Sequence, residues 1–251
     1  MILTKIPTSL GSMNKNKGCE KAPDEIIKEL KNIEVNESLK EIKYEVSEVK
    51  VSGNLDETNR NIEKAQGDIF IGGDHSITYS LFKSLKSKNK GLIIFDAHVD
   101  LDNYTGTPTH EDFLRKLIDE NYLNPKNLTI IGTRRYWKNE LNYIKEKNIR
   151  LFTSNQLFEY GIKNICDTIM ENFRKFDELY ISIDIDVLDP SVAPGTYYLE
   201  PNGLKLSQLL HFIKKLRLLK NIKKIDLVEV NPEIENKITT KTAAKIIAEL
   251  L

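Results

Sequence analysis

Residues 91–100 read GLIIFDAHVD. Leu92 to Phe95 are four large apolar residues without alternation, as a strand covered on both faces requires; a half-solvated strand would alternate. Titratable groups follow at every second position. Because a strand has a period of two, Asp96, His98 and Asp100 can share one face while Ala97 and Val99 point away.

The same kind of run recurs along the chain: DIFIGG ending at Gly73, LTIIGT at Thr133, IRLFT at Thr153, ELYISIDID at Asp186 and IKKIDLVEV at Val230. Between these runs lie stretches with apolar residues three and four apart, including 76–88, 110–123, 204–220 and 239–251. Ala22-Pro23 ahead of DEIIKEL reads as a helix start. Strand and helix alternate throughout, which predicts a parallel sheet with helices on both sides. No repeat, low-complexity tract or linker divides the chain, so 1–251 reads as a single domain.

The 251 residues are 40% hydrophobic and 29% charged, an ordinary globular balance that predicts a substantial core. Lys plus Arg and Asp plus Glu number 37 each, so there is no basic footprint for nucleic acid. The scattered lysines read as solvated helix faces. Cys19 and Cys166 are far apart and match no metal or redox spacing; two separate thiols fit a reduced compartment. No apolar run suits a signal peptide or a bilayer crossing, so the expectation is a cytoplasmic protein without a membrane partner.

In open α/β sheets, ligands bind at the carboxyl ends of the strands. Here those ends carry GGDHS (72–76), DAHVD (96–100), DIDVLDP (184–190) and Glu229. Gathered carboxylates are costly unless cations neutralise them. Asp96, Asp100, Asp184 and Asp186 bring four negative charges, which two divalent ions would balance, with His75 and His98 as neutral imidazole ligands. A donor set dominated by carboxylates, with no thiolate, suits Mn²⁺ better than Zn²⁺ or copper. The expectation is two Mn²⁺ per chain. Any one of these motifs alone would read as a capped strand end or a solvated turn; their combination favours the metal reading. His211, inside LLHFIKKL, reads as structural.

The set resembles the ureohydrolase family of arginase, agmatinase, formimidoylglutamase and guanidino-acid hydrolases. The likeness runs from Gly18 and Ala22-Pro23 through GGDHS, DAHVD, SIDIDVLDPSVAPGT (182–196) and DLVEVNP (226–232). It implies a three-layer α/β/α, arginase-like fold with a mostly parallel sheet of about eight strands. It also implies a homotrimer or homohexamer, a binuclear manganese cluster and a small guanidino or amidino substrate. By motif matching, His75 and Asp100 bind one ion, His98 the other, and Asp96, Asp184 and Asp186 are bridging or shared. A metal-bridging hydroxide would attack the guanidinium carbon, for which two ions roughly 3.5–4 Å apart lower the pKa of water. The likeness makes Asp100, His110 and Glu229 catalytic: Asp100 holds the hydroxide and passes on its proton, His110 shuttles protons, and Glu229 receives the guanidinium through two parallel N–H bonds.

The substrate follows from finer features. Only eleven residues, VDLDNYTGTPT, separate His98 from His110, a short loop like that of agmatinases. Arg135 in GTRRYW stands where arginases usually carry an acidic residue. Both features disfavour arginine. Tyr197 and Tyr198 replace the glycine and threonine usual after the AlaProGlyThr step, so they can narrow the pocket or stack on a flat cation. Arg135, facing the pocket, would suit a substrate bearing a carboxylate. The expected reaction is agmatine to putrescine plus urea. Formimidoylglutamase or guanidino-acid hydrolase is the alternative, then arginase. A deacetylase-like metal amidase and a non-catalytic metal-binding relative are the readings from other classes.

Overall fold

A computed structural model describes residues 1–235 and 237–251. Eight strands form one sheet: β1 (Ile2–Ile6), β2 (Glu45–Glu48), β3 (Ile69–Gly72), β4 (Lys90–Phe95), β5 (Leu128–Thr133), β6 (Arg150–Thr153), β7 (Glu178–Asp184) and β8 (Ile222–Val228). Their order is β2-β1-β3-β8-β7-β4-β5-β6, and every neighbouring pair is parallel.

The unalternating runs of β3, β4 and β5 are fully buried, as their composition requires, while β6 at the edge is only partly covered. Ile69, Ile71, Ile93, Phe95 and Ile131 point into one apolar layer, while Phe70, Leu92, Ile94 and Ile130 point into the other. The first layer is closed by α1 (Ala22–Leu30), α7 (Ile162–Phe173), α8 (Leu206–Leu216) and α9 (Ile238–Leu250), with Leu157 of α6 (Ser154–Tyr160). The second is closed by α2 (Leu55–Glu63), α3 (Ile77–Lys83), α4 (Phe113–Asp119) and α5 (Lys138–Lys147). Among the described residues no helix is long and apolar enough to cross a membrane. His211 lies on α8 and takes no part in the strand-end cluster.

Two strands carry no sequence signal. β1 is a mixed ILTKI, and β2 is an exposed edge reading EVSE, so neither shows an apolar run. The helical stretches at 76–88 and 110–123 shrink to seven residues each.

The strand-end alternation needs correction. β4 stops at Phe95, so Asp96, His98 and Asp100 belong to the loop after it, and Asp100 has φ +48°. β7 stops at Asp184, and Asp186 sits in a single 3₁₀ turn, Ile185–Val187. Loop conformation, not strand period, aims these groups.

Candidate active site

The site is built from loops leaving β3, β4, β7 and β8. The β3 loop requires glycine: a Cβ on Gly73 would lie 1.9 Å from the Thr8 carbonyl oxygen. This close approach seats Asp74 and His75 in the interior. Asp74 accepts the backbone N–H groups of Gly11 and Ser76, both at 3.0 Å, and burial pushes its carboxyl up to about 6.

Three aspartates share one arrangement, with Oδ1 fixed by a backbone N–H. Asp96 accepts from His98 N at 2.6 Å, Asp184 from Asp186 N at 2.8 Å, and Asp186 from Ala97 N at 3.0 Å. Their Oδ2 atoms face the imidazoles. His75 Nδ1 lies 3.2 Å from Asp96 Oδ2, 2.9 Å from Asp100 Oδ2 and 3.3 Å from Asp184 Oδ2. His98 Nδ1 lies 2.9 Å from Asp186 Oδ2 and 3.4 Å from Asp96 Oδ1. Two sets emerge whose donor atoms lie within 4.8 Å of one another: His75, Asp96 and Asp184, and Asp96, His98 and Asp186. Asp96 is common to both, and Asp100 flanks the first.

The fit of this cluster to divalent cations can be judged from its own conflicts. His75 Nδ1 and Asp96 Oδ2 are buried without a hydrogen-bond partner. Such orphans are rare unless an ion satisfies them. Burial pushes Asp184 well above the carboxylate range, aided by Asp186 and Asp96, and lifts Asp100 to about 8. Burial also opposes ionisation of Asp96, yet His75 and His98 hold it well below that range. Both imidazoles are held well above their ordinary value by the surrounding carboxylates, against the effect of burial. The protons are shared out by mutual repulsion. Four carboxylates and two imidazole nitrogens, nearly all buried, match a hard or borderline divalent ion.

Glu229 follows β8 at φ +64°. Its Oε1 accepts His75 N at 2.7 Å and contacts His110 Nδ1 at 3.1 Å, while Oε2 accepts Asn16 Nδ2 at 2.6 Å. Burial opposes its charge, but His110, Asn16 and the His75 backbone hold it below the ordinary glutamate value. A carboxylate offers about four lone-pair positions. Three are taken, so the expected pair of parallel N–H bonds finds one vacancy unless Asn16 or His110 yields. His110 is driven up to about 9 by Glu229, Asp74 and Asp100 against the effect of burial, and its Nε2 is buried without a partner.

A cavity of about 80 Å³ opens onto His98, Asp100, His110 and Glu229. The Tyr198 ring forms its wall, 5.0 Å from the His98 ring and 6.4 Å from the His110 ring, stacked on the latter. Its hydroxyl donates to Glu111 at 2.7 Å, and Glu111 pairs with Lys15. Tyr197 is not among the lining residues; it is 46% exposed and packs edge-on against Tyr198. Arg135 does reach the cavity, half-exposed, stacked on Trp137 at 4.9 Å and 3.9 Å from Glu200.

Several contributors carry no local sequence signal. Asn16 meets Glu229 across 213 positions. Ser182, Asp226, Thr78 and Tyr180 connect behind His75. Arg134, beside the arginine singled out from sequence, donates to the carbonyls of Gly132, Asp186, Val187, Leu188, Glu200 and Pro201. It thereby fastens the Asp186 turn to the Glu200 segment.

A parallel sheet with two carboxylate–imidazole sets at its carboxyl edge is an α/β scaffold suited to holding metal ions. The Arginase family matches residues 1–251, and the chain belongs to that family, hydrolases of guanidino and amidino C–N bonds. It is 31% identical to an arginase of Entamoeba histolytica over 72% of this chain and 68% of that one. It is 34% identical to a formimidoylglutamase of Bacillus subtilis over 73% of this chain and 60% of that one. The solved formimidoylglutamase of Bacillus subtilis superposes with TM-score 0.90 at 26% identity, covering 99% of this chain and 85% of its own. The agmatine ureohydrolase of Thermoplasma volcanium gives TM-score 0.87 at 26% identity, covering 99% and 87%.

Proposed function

We propose that this chain hydrolyses agmatine to putrescine and urea at a pair of manganese ions. His75, Asp96 and Asp184, with Asp100 beside them, would hold one ion; His98, Asp96 and Asp186 would hold the other. Such a pair, when bound, supplies charge neutralisation and acidifies water.

The chain's own groups do the remaining work. Glu229, negative and held rigid by three donors, offers its remaining lone pair to a guanidinium N–H. The carboxylate of Glu229 favours a proton on His110, with Nδ1 against Glu229 and Nε2 unpartnered. It is therefore placed to give the departing amine its proton. Tyr198 restricts the cavity to a slender guanidino group and narrows the way for its tail.

One observation carries the choice of substrate: the charge of the outer cavity. Asp102, Glu111, Glu140 and Glu200 line it beyond the cluster, four carboxylates against Arg135, the only lysine or arginine among the described lining residues, and Lys15, which answers Glu111. Glu200 already lies beside Arg135. This rim attracts a tail bearing an ammonium and repels one bearing a carboxylate. A second reading rests on Arg135 itself: its half-exposed guanidinium can meet an acidic tail such as that of formiminoglutamate. The relatives named formimidoylglutamase lend it support. We also infer a cytoplasmic homotrimer or homohexamer, which light scattering would test.

The deciding experiment supplies the purified protein with Mn²⁺ and measures urea from agmatine, arginine and guanidinobutanoate, and formamide from formiminoglutamate. Agmatine should turn over at least about tenfold more efficiently than any acid-bearing substrate. A preference for formiminoglutamate would transfer the assignment to the second reading, and no release from any of them would overturn both.

A further inference from the structure

Behind the cluster, on the side away from the cavity, lies a polar chain that the reaction above does not use. His75 Nε2 is 2.8 Å from Ser182 Oγ. Ser182 Oγ donates to Asp226 Oδ1 at 2.5 Å, while Thr78 Oγ1 and Tyr180 OH donate to Asp226 Oδ2 at 2.6 and 2.5 Å. Asp226 is fully buried and answered by hydroxyls from β7 and α3. Asp226 stands three residues before Glu229 in DLVEVNP and has a different task.

We propose that Ser182 and Asp226 are positioning residues that hold His75 in the one tautomer able to bind a cation through Nδ1. A serine hydroxyl has one proton. With that proton committed to Asp226, Ser182 can only accept from His75, so Nε2 carries the ring N–H. In the neutral ring Nδ1 is then a lone pair directed at Asp96, Asp100 and Asp184, open to a cation that displaces the protons these groups otherwise share. Converging lone pairs of this kind are attractive only around a positive charge, a proton or a cation. Fixing a ligand's tautomer and orientation through its other nitrogen is what groups behind a metal's ligands commonly do. His98 has no comparable support: its Nε2 faces the cavity, 4.0 Å from Glu200 Oε1. The relay therefore acts on the His75 set alone.

Asp226→Asn gives the sharpest test. Thr78 and Tyr180 donate toward Oδ2, so the amide oxygen takes that place and the NH₂ turns to Ser182. Ser182 then accepts from the amide, and its own proton is free to turn to His75 Nε2 or to Thr78 Oγ1, 3.4 Å away, so the N–H is no longer fixed on Nε2. Ser182→Ala removes the link outright, and Tyr180→Phe removes a hydroxyl from Asp226 without touching His75.

This inference rests on reading the cluster as a metal site. The measurement is Mn²⁺ binding to the metal-free full chain, followed by the electron paramagnetic resonance of the free ion. Metal-free melting temperatures would establish that each variant folds. Asp226→Asn and Ser182→Ala should weaken one of two binding steps roughly 10–100-fold. The other step should stay within about threefold, and Tyr180→Phe should leave both steps so. A merely structural role would weaken both steps or lower the melting temperature alone. If Asp226→Asn does not fold, Ser182→Ala carries the test. Wild-type affinity in a folded Ser182→Ala or Asp226→Asn protein would overturn the relay while leaving the metal site standing. A wild-type chain that binds no Mn²⁺ would overturn the site reading and the relay with it.

Discussion

The two halves of the cluster share Asp96 and differ in nearly everything else. In the His75 half the imidazole is sealed, 1% exposed, 4.6 Å from the Phe113 ring and braced by Ser182, and only Asp100 and Asp184 reach the cavity. The His98 half borders the cavity: its imidazole is 19% exposed, with Tyr198 and Glu200 for neighbours. The sealed half is set by the protein interior, so its substitutions should register as lost metal. The open half borders the cavity, and changes around it should register as altered selectivity.

The largest effect should come from breaking what the halves share. Asp96→Ala removes a carboxylate from both sets and should leave neither ion tightly held. Because paired metals contribute several kcal/mol to such reactions, turnover should fall by on the order of 10³-fold or more. Metal analysis after dialysis would check this, and near-normal metal content would refute the sharing of Asp96. Glu229→Gln should come next. It keeps the shape but removes the charge facing the guanidinium, at a cost of about 2–5 kcal/mol for a buried charged contact. kcat/KM should drop at least roughly 30-fold while both metal-binding steps persist. Loss of metal instead would place Glu229 in the sealed half's support. The smallest effect should be Tyr198→Thr, confined to the open half. Opening the wall should raise the efficiency of a branched guanidine relative to agmatine by roughly tenfold, in the range one buried group commonly gives. An unchanged ratio in kinetic assays would mean that the ring does not gate the tail.

The same division explains what could be read from the sequence. Sequence patterns locate β3 to β8 because their runs are unalternating, fully buried in β3, β4 and β5, and they point to the six cluster residues because each ends or follows such a run. β2 escapes because an exposed edge has no reason to be apolar. The route by which Asp100 and Asp186 reach the cluster escapes as well, since a loop with positive φ and a 3₁₀ turn obey no period of two. What braces the sealed half is hidden for another reason. Ser182 and Asp226 stand 44 positions apart, and Asn16 and Glu229 213, so only the folded sheet brings them together. Arg134 and Arg135 are indistinguishable by residue type. Packing sends the first into a nest of carbonyls and leaves the second half-exposed beside Glu200.

Manganese titration of the metal-free protein, with urea release from agmatine recorded at each addition, tests the central claim most directly. Two coupled sets sharing Asp96 predict that activity rises mainly with the second equivalent and saturates at two ions per chain. Full activity at one equivalent, or activity indifferent to the metal, would contradict it.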